Sequence, residues 1–331
     1  MRRLLSLLLL ALVFAIAWAA FVVLVPIGPT TETFVEILPG TPTMQIAAEL
    51  KHMGLIRNQY AFEAERLARG GTLKAGEYRF DHPMIMSEVY ERLERGDVYT
   101  ISVTIPEGAN LFDIAQRLEE ANLCSKEKFL AAAHSDIALI ADLDPAATSL
   151  EGYLFPDTYE FERHATPQEI LAAMVRRFRQ AASGIGLHGN YHRTVIVASL
   201  VERETPIASE RPLVASVFEN RLAKDMPLMT DPSVIYAALL DGRYRGTIYA
   251  SDLQADSPYN TYRYAGLPPG PICNPGIASL KAAMNPAQTD YLYFVAASAD
   301  PSGKSRFSAT LEEHAHNVEQ YRKSLRGAGS R

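Results

Sequence analysis

Cysteine is scarce: Cys124 and Cys273 are the two in 331 residues. They lie far apart and in no ligand-like spacing, which argues against a zinc site. Two unpaired, buried thiols are the expectation. An excess of basic charge is also missing. Lys and Arg total 32 against 38 Asp and Glu, for a net charge of −6, so sequence-wide attraction to nucleic acid is not expected. Glycine and proline number 20 each and 21% of residues are charged, which is unlike a fibrous or disordered chain. No G-x-S-x-G elbow, Walker A loop or H-E-x-x-H helix occurs, so the common serine-hydrolase, nucleotide and zinc-protease signatures are missing. His188 and His192 are four apart with Gly189 between them, and His314 and His316 flank one alanine on a polar helix, where solvent-facing side chains are expected. No metal and no cofactor are expected.

What is present is a large apolar fraction, 48%, enough for two or three domains. A long apolar run, Leu4 to Val25, is interrupted only by Ser6 and follows Arg2 and Arg3. It is near the roughly 20 residues that cross a bilayer as a helix, and the paired arginines predict a cytoplasmic N-terminus. Ala17-Trp18-Ala19 looks like a cleavage site, but the apolar residues continue past it, beyond the about 7–15 residues of a signal-peptide core. An uncleaved anchor is therefore favoured over a cleaved signal; both export the rest of the chain. No cysteine follows the run to support lipoprotein anchoring.

A repeat comes next. Val35–Leu50, VEILPGTPTMQIAAEL, aligns with Val103–Leu118, VTIPEGANLFDIAQRL, matching Gly40 with Gly108, Ile46 with Ile114, Ala47 with Ala115 and Leu50 with Leu118. Each copy reads as a short strand, a glycine turn and an amphipathic helix, with Thr43 and Asn110 as expected N-caps. Leu55 and Leu123 carry the match into a second small helix. The first copy closes with a turn and strand at Ala75–Phe80, then a helix near Ser87–Arg95. Ala131–Thr148, polar and alanine-rich, reads as a connector. A larger unit with apolar-periodic helices runs from about Leu150 to Tyr321.

The strongest candidate for chemistry is Thr194–Pro206, TVIVASLVERETP. As a helix it places Ile196, Val197, Ala198, Leu200 and Val201 on one apolar arc with Glu204 near its centre, and Glu202 on the other side near Ser199. Pro206 ends the helix because Thr205 is pushed out of helical geometry. A carboxyl in the last turn, on the face that should be buried, has its pKa raised by desolvation and by the negative end of the helix dipole. That suits a general acid for glycosidic cleavage; the alternative is structural pairing with Arg203, Arg211 or Arg221. Leu150–Phe161, LEGYLFPDTYEF, combines aromatic faces with Glu151, Asp157 and Glu160, as a sugar site or as a packed aromatic corner. At Met229–Tyr236, Asp231 or Ser233 would cap a helix with Pro232 in its first turn, and capping is the role expected of Asp231. Ser257–Gly276, SPYNTYRYAGLPPGPICNPG, is a long, stiffened loop, either of the kind that lines sites or a plain surface loop.

Together and in order, LEGYLFPDTYEF, ASLVERET, ASVFENRL, TDPSVIY, SPYNTY, GLPPGPICNPG, SLKAAMNP, YLYFV and the closing EEH with Tyr321 resemble the endolytic murein transglycosylases of the MltG (YceG-like) family over nearly the whole chain. The resemblance implies an α+β protein: a cytoplasmic tail at 1–3, a transmembrane anchor at 4–25, a LysM-like module at 33–100, a second repeat unit and connector at 101–148, a larger mixed α/β catalytic domain at 149–323 and a flexible tail at 324–331. It implies Glu204 as the catalytic acid, the second glutamate of the family's A-S-x-x-E-x-E-T motif. It also implies Glu151, Glu202, Thr230, Asp231, Tyr259, Asn260 and Tyr262 as substrate-binding positions. The family's Gln before T-D-P is Met229 here, and Cys273 stands where a small residue is usual. The implied reaction cleaves the β-1,4 bond between N-acetylmuramic acid and N-acetylglucosamine in nascent peptidoglycan, leaving 1,6-anhydro ends. The implied setting is the cytoplasmic (inner) membrane, crossed once, with the catalytic domain outside, in glycan-strand termination beside peptidoglycan synthases. A non-catalytic glycan-binding scaffold, and a water-using muramidase with Glu202 or Glu151 as second carboxylate, are the alternatives.

Overall fold

The apolar run forms helix α1, Arg2–Leu24, in a computed structural model that describes residues 2–298, 300 and 303–328. Arg3–Leu24 is, among the described residues, the one helix long and apolar enough to cross a membrane. Most of its side chains are exposed, but Val22 in its last turn is buried. At that turn Arg57 lies 4.6 Å over the Phe21 ring, and just past the helix it donates to the carbonyls of Val25 and Pro26.

The chain divides into two compact units, Met1–Ile101 and Ser102–Arg331. After α1 the first contains β1 (Thr33–Ile37), α2 (Thr43–His52), α3 (Gln59–Arg69), β2 (Gly76–Phe80) and α4 (Met86–Arg95). β1 and β2 are antiparallel, with Val35 opposite Tyr78. Strand alternation sends Val35, Ile37, Tyr78 and Phe80 into a core with Ile46 and Leu50 of α2, Phe62 of α3, and Tyr90 and Leu93 of α4. Thr43 is the first helical residue rather than the cap expected: Pro42 holds the cap position, extended at φ −62, ψ 143 and with no side-chain bond.

β3 (Thr100–Thr104) opens the second copy, followed by α5 (Leu111–Glu120), α6 (Lys126–Ser135) and β4 (Thr158–Glu162), which pairs with β3. The order of strand, turn, two helices and strand is that of the first unit. Gly40 and Gly108 take φ +81 and +78 at the two turns, a region only glycine enters freely. Ile114, Ala115 and Leu118 are buried as Ile46, Ala47 and Leu50 are. Asn110 caps α5 by accepting from the Phe112 and Asp113 amides, and Asp113 accepts the Asn110 amide in return. The second copy closes late, because 137–157 folds in between. Within that stretch Asp144 is buried, accepts the Tyr153 hydroxyl at 2.7 Å and pairs with His192. The segment expected as a connector is therefore partly helix and partly core, and the whole of 102–148 lies in the same compact unit as the helices C-terminal to it.

Those C-terminal elements are α7 (Pro167–Gly184), α8 (Tyr191–Glu204), α9 (Arg211–Leu222), α10 (Asp231–Leu240), the short α11 (Ala250–Leu253), α12 (Ile277–Met284), a hairpin of β5 (Tyr293–Ala296) and β6 (Ser305–Ser308), and α13 (Leu311–Ala328). α13 continues past 323, where a flexible tail was expected; residues 329–331 of that tail and residue 1 of the N-terminal one lie outside the described residues. α8 is packed by α9, α10 and α12. Val195 to Val201 are all buried, Ser199 included, so the side of α8 that carries Glu202 is covered rather than open to solvent. Neither cysteine is in a disulfide; Cys273 is buried and Cys124 partly so.

Candidate active site

Glu204 is the last residue of α8. Thr205 is extended at φ −142, ψ 129, the geometry forced on a residue before proline. The carboxyl lines a cavity of about 450 Å³ walled by Phe218, Leu228 and Phe294 and by the polar groups of Arg221, Asp231, Tyr262 and His314. The second unit supplies all of these, from α9, the loop between α9 and α10, α10, the loop before α12, β5 and α13.

Burial is the largest influence on Glu204. With the nearby charge of Asp231 it pushes the carboxyl up to about 7, and Arg221 opposes them. No described residue hydrogen-bonds the Glu204 carboxyl. The three arginines weighed as its structural partners are engaged elsewhere. Arg211 bonds Glu202 at 2.7 Å, and Arg203 reaches the Gly108 carbonyl at 3.3 Å. Arg221 donates to the carbonyls of Leu292 at 2.7 Å and Leu228 at 2.8 Å. Its guanidinium also lies 5.4 Å from the Tyr293 ring centroid. Arg221 thus faces Glu204 as a fixed charge rather than as a hydrogen-bond partner. A carboxyl between a like and an opposite charge, titrating near neutrality, can give a proton and take one back.

Asp231 is the first residue of α10. Thr230, not Asp231, takes the cap position, and it makes no side-chain cap bond. The Asp231 carboxylate instead accepts the Tyr262 hydroxyl at 2.6 Å. Burial, and then this bond, push the Tyr262 phenol well up. Met229 lines the cavity in the left-handed region at φ +53, unusual for a bulky residue. Its amide donates to the Thr261 carbonyl at 3.1 Å, and the Thr230 amide to the Thr261 hydroxyl at 3.0 Å.

The other expected positions are not among the cavity's lining residues. Glu151 is buried, accepting the Leu111 amide at 2.9 Å and the Asn274 amide at 2.8 Å; burial pushes it up to about 8 against the pull of the hydrogen bonds. Glu202 accepts from Arg211 and from the Gly276 amide at 2.9 Å. Asn260 donates to the Leu253 and Ala255 carbonyls and accepts the Tyr262 amide, so it braces the loop that carries Tyr262. Tyr259 packs edge-on to Tyr236 at 5.1 Å, and burial pushes it up to about 12. Glu202 and Glu151, the alternatives for the second carboxylate of a water-using muramidase, are thus engaged away from the cavity.

Sequence reasoning passed over Tyr293 and His314. His314 is half-buried, not solvent-facing: it stacks on Tyr293 at 5.1 Å and its buried Nδ1 has no described partner. Burial and Arg221 hold its pKa below the ordinary value. The available signal was the spacing of Leu311 and His314, three apart and so on one helical face. His316 is exposed, beside Gln320.

Residues 35–320 match the YceG-like family. A Bacillus subtilis protein named endolytic murein transglycosylase is 35% identical over 322 residues, which cover 89% of this chain and 87% of that protein. One of the same name from Streptococcus pneumoniae is 31% identical over 336 residues, 90% of this chain and 60% of that protein. The crystal structure of a YceG-like protein from Listeria monocytogenes matches with a TM-score of 0.56 at 32% identity, covering 87% of this chain and 99% of that one.

Proposed function

The chain belongs to the YceG-like family, and on that premise we propose that it is an endolytic murein transglycosylase anchored by α1 in the cytoplasmic membrane, with the chain beyond α1 outside. Glu204 protonates the oxygen of a β-1,4 bond between N-acetylmuramic acid and N-acetylglucosamine. Its carboxylate then takes the proton of the muramic C6 hydroxyl as that oxygen attacks C1, leaving a 1,6-anhydro end. Intramolecular attack has a high effective molarity, so no protein nucleophile is needed. The observation that carries this reading is the Glu204 carboxyl itself, placed in a cavity between Asp231 and Arg221 and titrating at about 7.

Around the acid, Asp231 and Tyr262 meet the strand, while Thr230, Tyr259, Asn260, Glu151 and Glu202 hold the surrounding backbone. The first unit is a LysM-like glycan-binding module. The enzyme ends nascent, uncrosslinked strands beside the synthases that make them. The test incubates purified protein with uncrosslinked glycan strands and reads the products by mass spectrometry. Wild type is expected to give anhydro ends, lighter by one water than hydrolysed ends, and folded Glu204→Gln to give none. Cleavage by Glu204→Gln, or hydrated ends from wild type, would overturn the proposal.

A further inference from the structure

We infer that Asp231 is a second catalytic residue, whose carboxylate stabilises the positive charge that develops at C1 as the glycosidic bond breaks. This rests on the transglycosylase reading and adds a group to it. The step requires such a charge. One proton passes from Glu204 to the glycosidic oxygen, the C1–O bond breaks, and its electron pair leaves with that oxygen. C1 is then electron-poor until the C6 oxygen bonds to it and the C6 hydroxyl proton goes to Glu204. Glu204 enters this sequence protonated and supplies no negative charge at its start. Asp231 gains and loses no atom throughout.

Among the described residues Asp231 is the one carboxylate besides Glu204 that lines the cavity. Glu151 and Glu202 are held by hydrogen bonds elsewhere. One Asp231 oxygen is fixed by Tyr262, and no described donor reaches the other. The arrangement is therefore a held carboxylate with an oxygen to spare, beside the acid. Arg221 keeps its charge but is held on the backbone carbonyls of Leu228 and Leu292, and it forms no described ion pair with Asp231. The titratable and charged groups that share the cavity with Glu204 are Asp231 from α10, Arg221 from α9, Tyr262 from the loop before α12, Tyr293 from β5 and His314 from α13; of these, Asp231 and Arg221 shift its titration.

The experiment uses full-length protein in detergent with uncrosslinked strands. Asp231→Asn, Asp231→Glu and Tyr262→Phe are compared with wild type, with Glu204→Gln in parallel. Asp231→Asn is expected to lower kcat by about 10²–10³-fold, the usual size of one such electrostatic contribution, with KM unchanged. In the Glu204→Gln background it should leave the Kd for intact strands unchanged. The alkaline limb of its pH–rate profile should move to lower pH, since the anion that helps hold the Glu204 proton is gone. Asp231→Glu should restore part of kcat. Tyr262→Phe keeps the charge and should cost less than about tenfold, near one hydrogen bond, with the alkaline limb in place. Wild-type kcat in Asp231→Asn, an unmoved limb, or a loss confined to KM or Kd would overturn the assignment. So would a Tyr262→Phe loss as large as that of Asp231→Asn, since Asp231 would then merely hold Tyr262. Activity in Glu204→Gln would instead defeat the transglycosylase reading itself.

Discussion

At the scale of single residues, Glu204 shows what a poised acid costs the protein that keeps it. The folded state holds the Glu204 proton to about pH 7, whereas the ordinary value is 4.5. Between those values the native state binds more protons than the unfolded chain, so this group's contribution to stability falls as pH rises through the window. Glu204→Gln is therefore expected to be more stable than wild type at pH 8, by about 1–2 kcal/mol given partial exposure. The gap should close near pH 4.5. Thermal melts at the two pH values check this; an equal gap at both would mean that Glu204 carries no ionisation penalty. The placement of Glu204 was legible in the sequence because two local rules agree: the apolar arc from Ile196 to Val201 fixes its face, and Pro206 fixes the helix end. Asp231 and His314 were not legible in the same way. A T-D-P run fits a cap at Thr or at Asp equally well, and only Tyr262, 31 residues away, decides what the Asp231 carboxylate does. His314 sits on a largely polar helix, where the spacing from Leu311 is the one local mark of its face and is too slight to show that β5 covers it.

At the scale of elements, the repeat was legible because both copies bury the same helix positions behind the same glycine turn. The partner of β3 was not, since β4 lies beyond an insertion that no periodicity marks. Nor was the burial of both faces of α8 over Val195–Val201, whose second face is covered by residues 272–276 of a distant loop. The node of Glu151, Asn274 and the N-terminus of α5 joins these parts. Both Glu151 oxygens accept hydrogen bonds, and the single carbonyl of a glutamine would serve one of those donors. Glu151→Gln is expected to cost about 1–3 kcal/mol, the penalty of a buried group left unsatisfied, while the folded fraction cleaves strands at close to the wild-type rate. Lost activity with an unchanged melting temperature would make Glu151 a substrate contact instead.

At the scale of the whole molecule, composition pointed to more than one domain, and the chain forms two compact units divided at 101–102. The repeat bridges that division, which is why sequence similarity between the copies did not reveal that the second belongs with the larger unit. The role of α1 has a direct test. Full-length protein is expected in the membrane fraction, and deletion of residues 2–19 should move it to the soluble fraction with its fold intact, because Phe21, Val22, Val25 and Pro26 remain to meet the first unit. A full-length protein that stays soluble without detergent would rule out the anchor. With α1 in a bilayer, the contacts of Arg57 have a further consequence. They seize the chain at the residues where it leaves the helix, so the first unit stands on a pedestal at one altitude above the lipid instead of drifting on a leash.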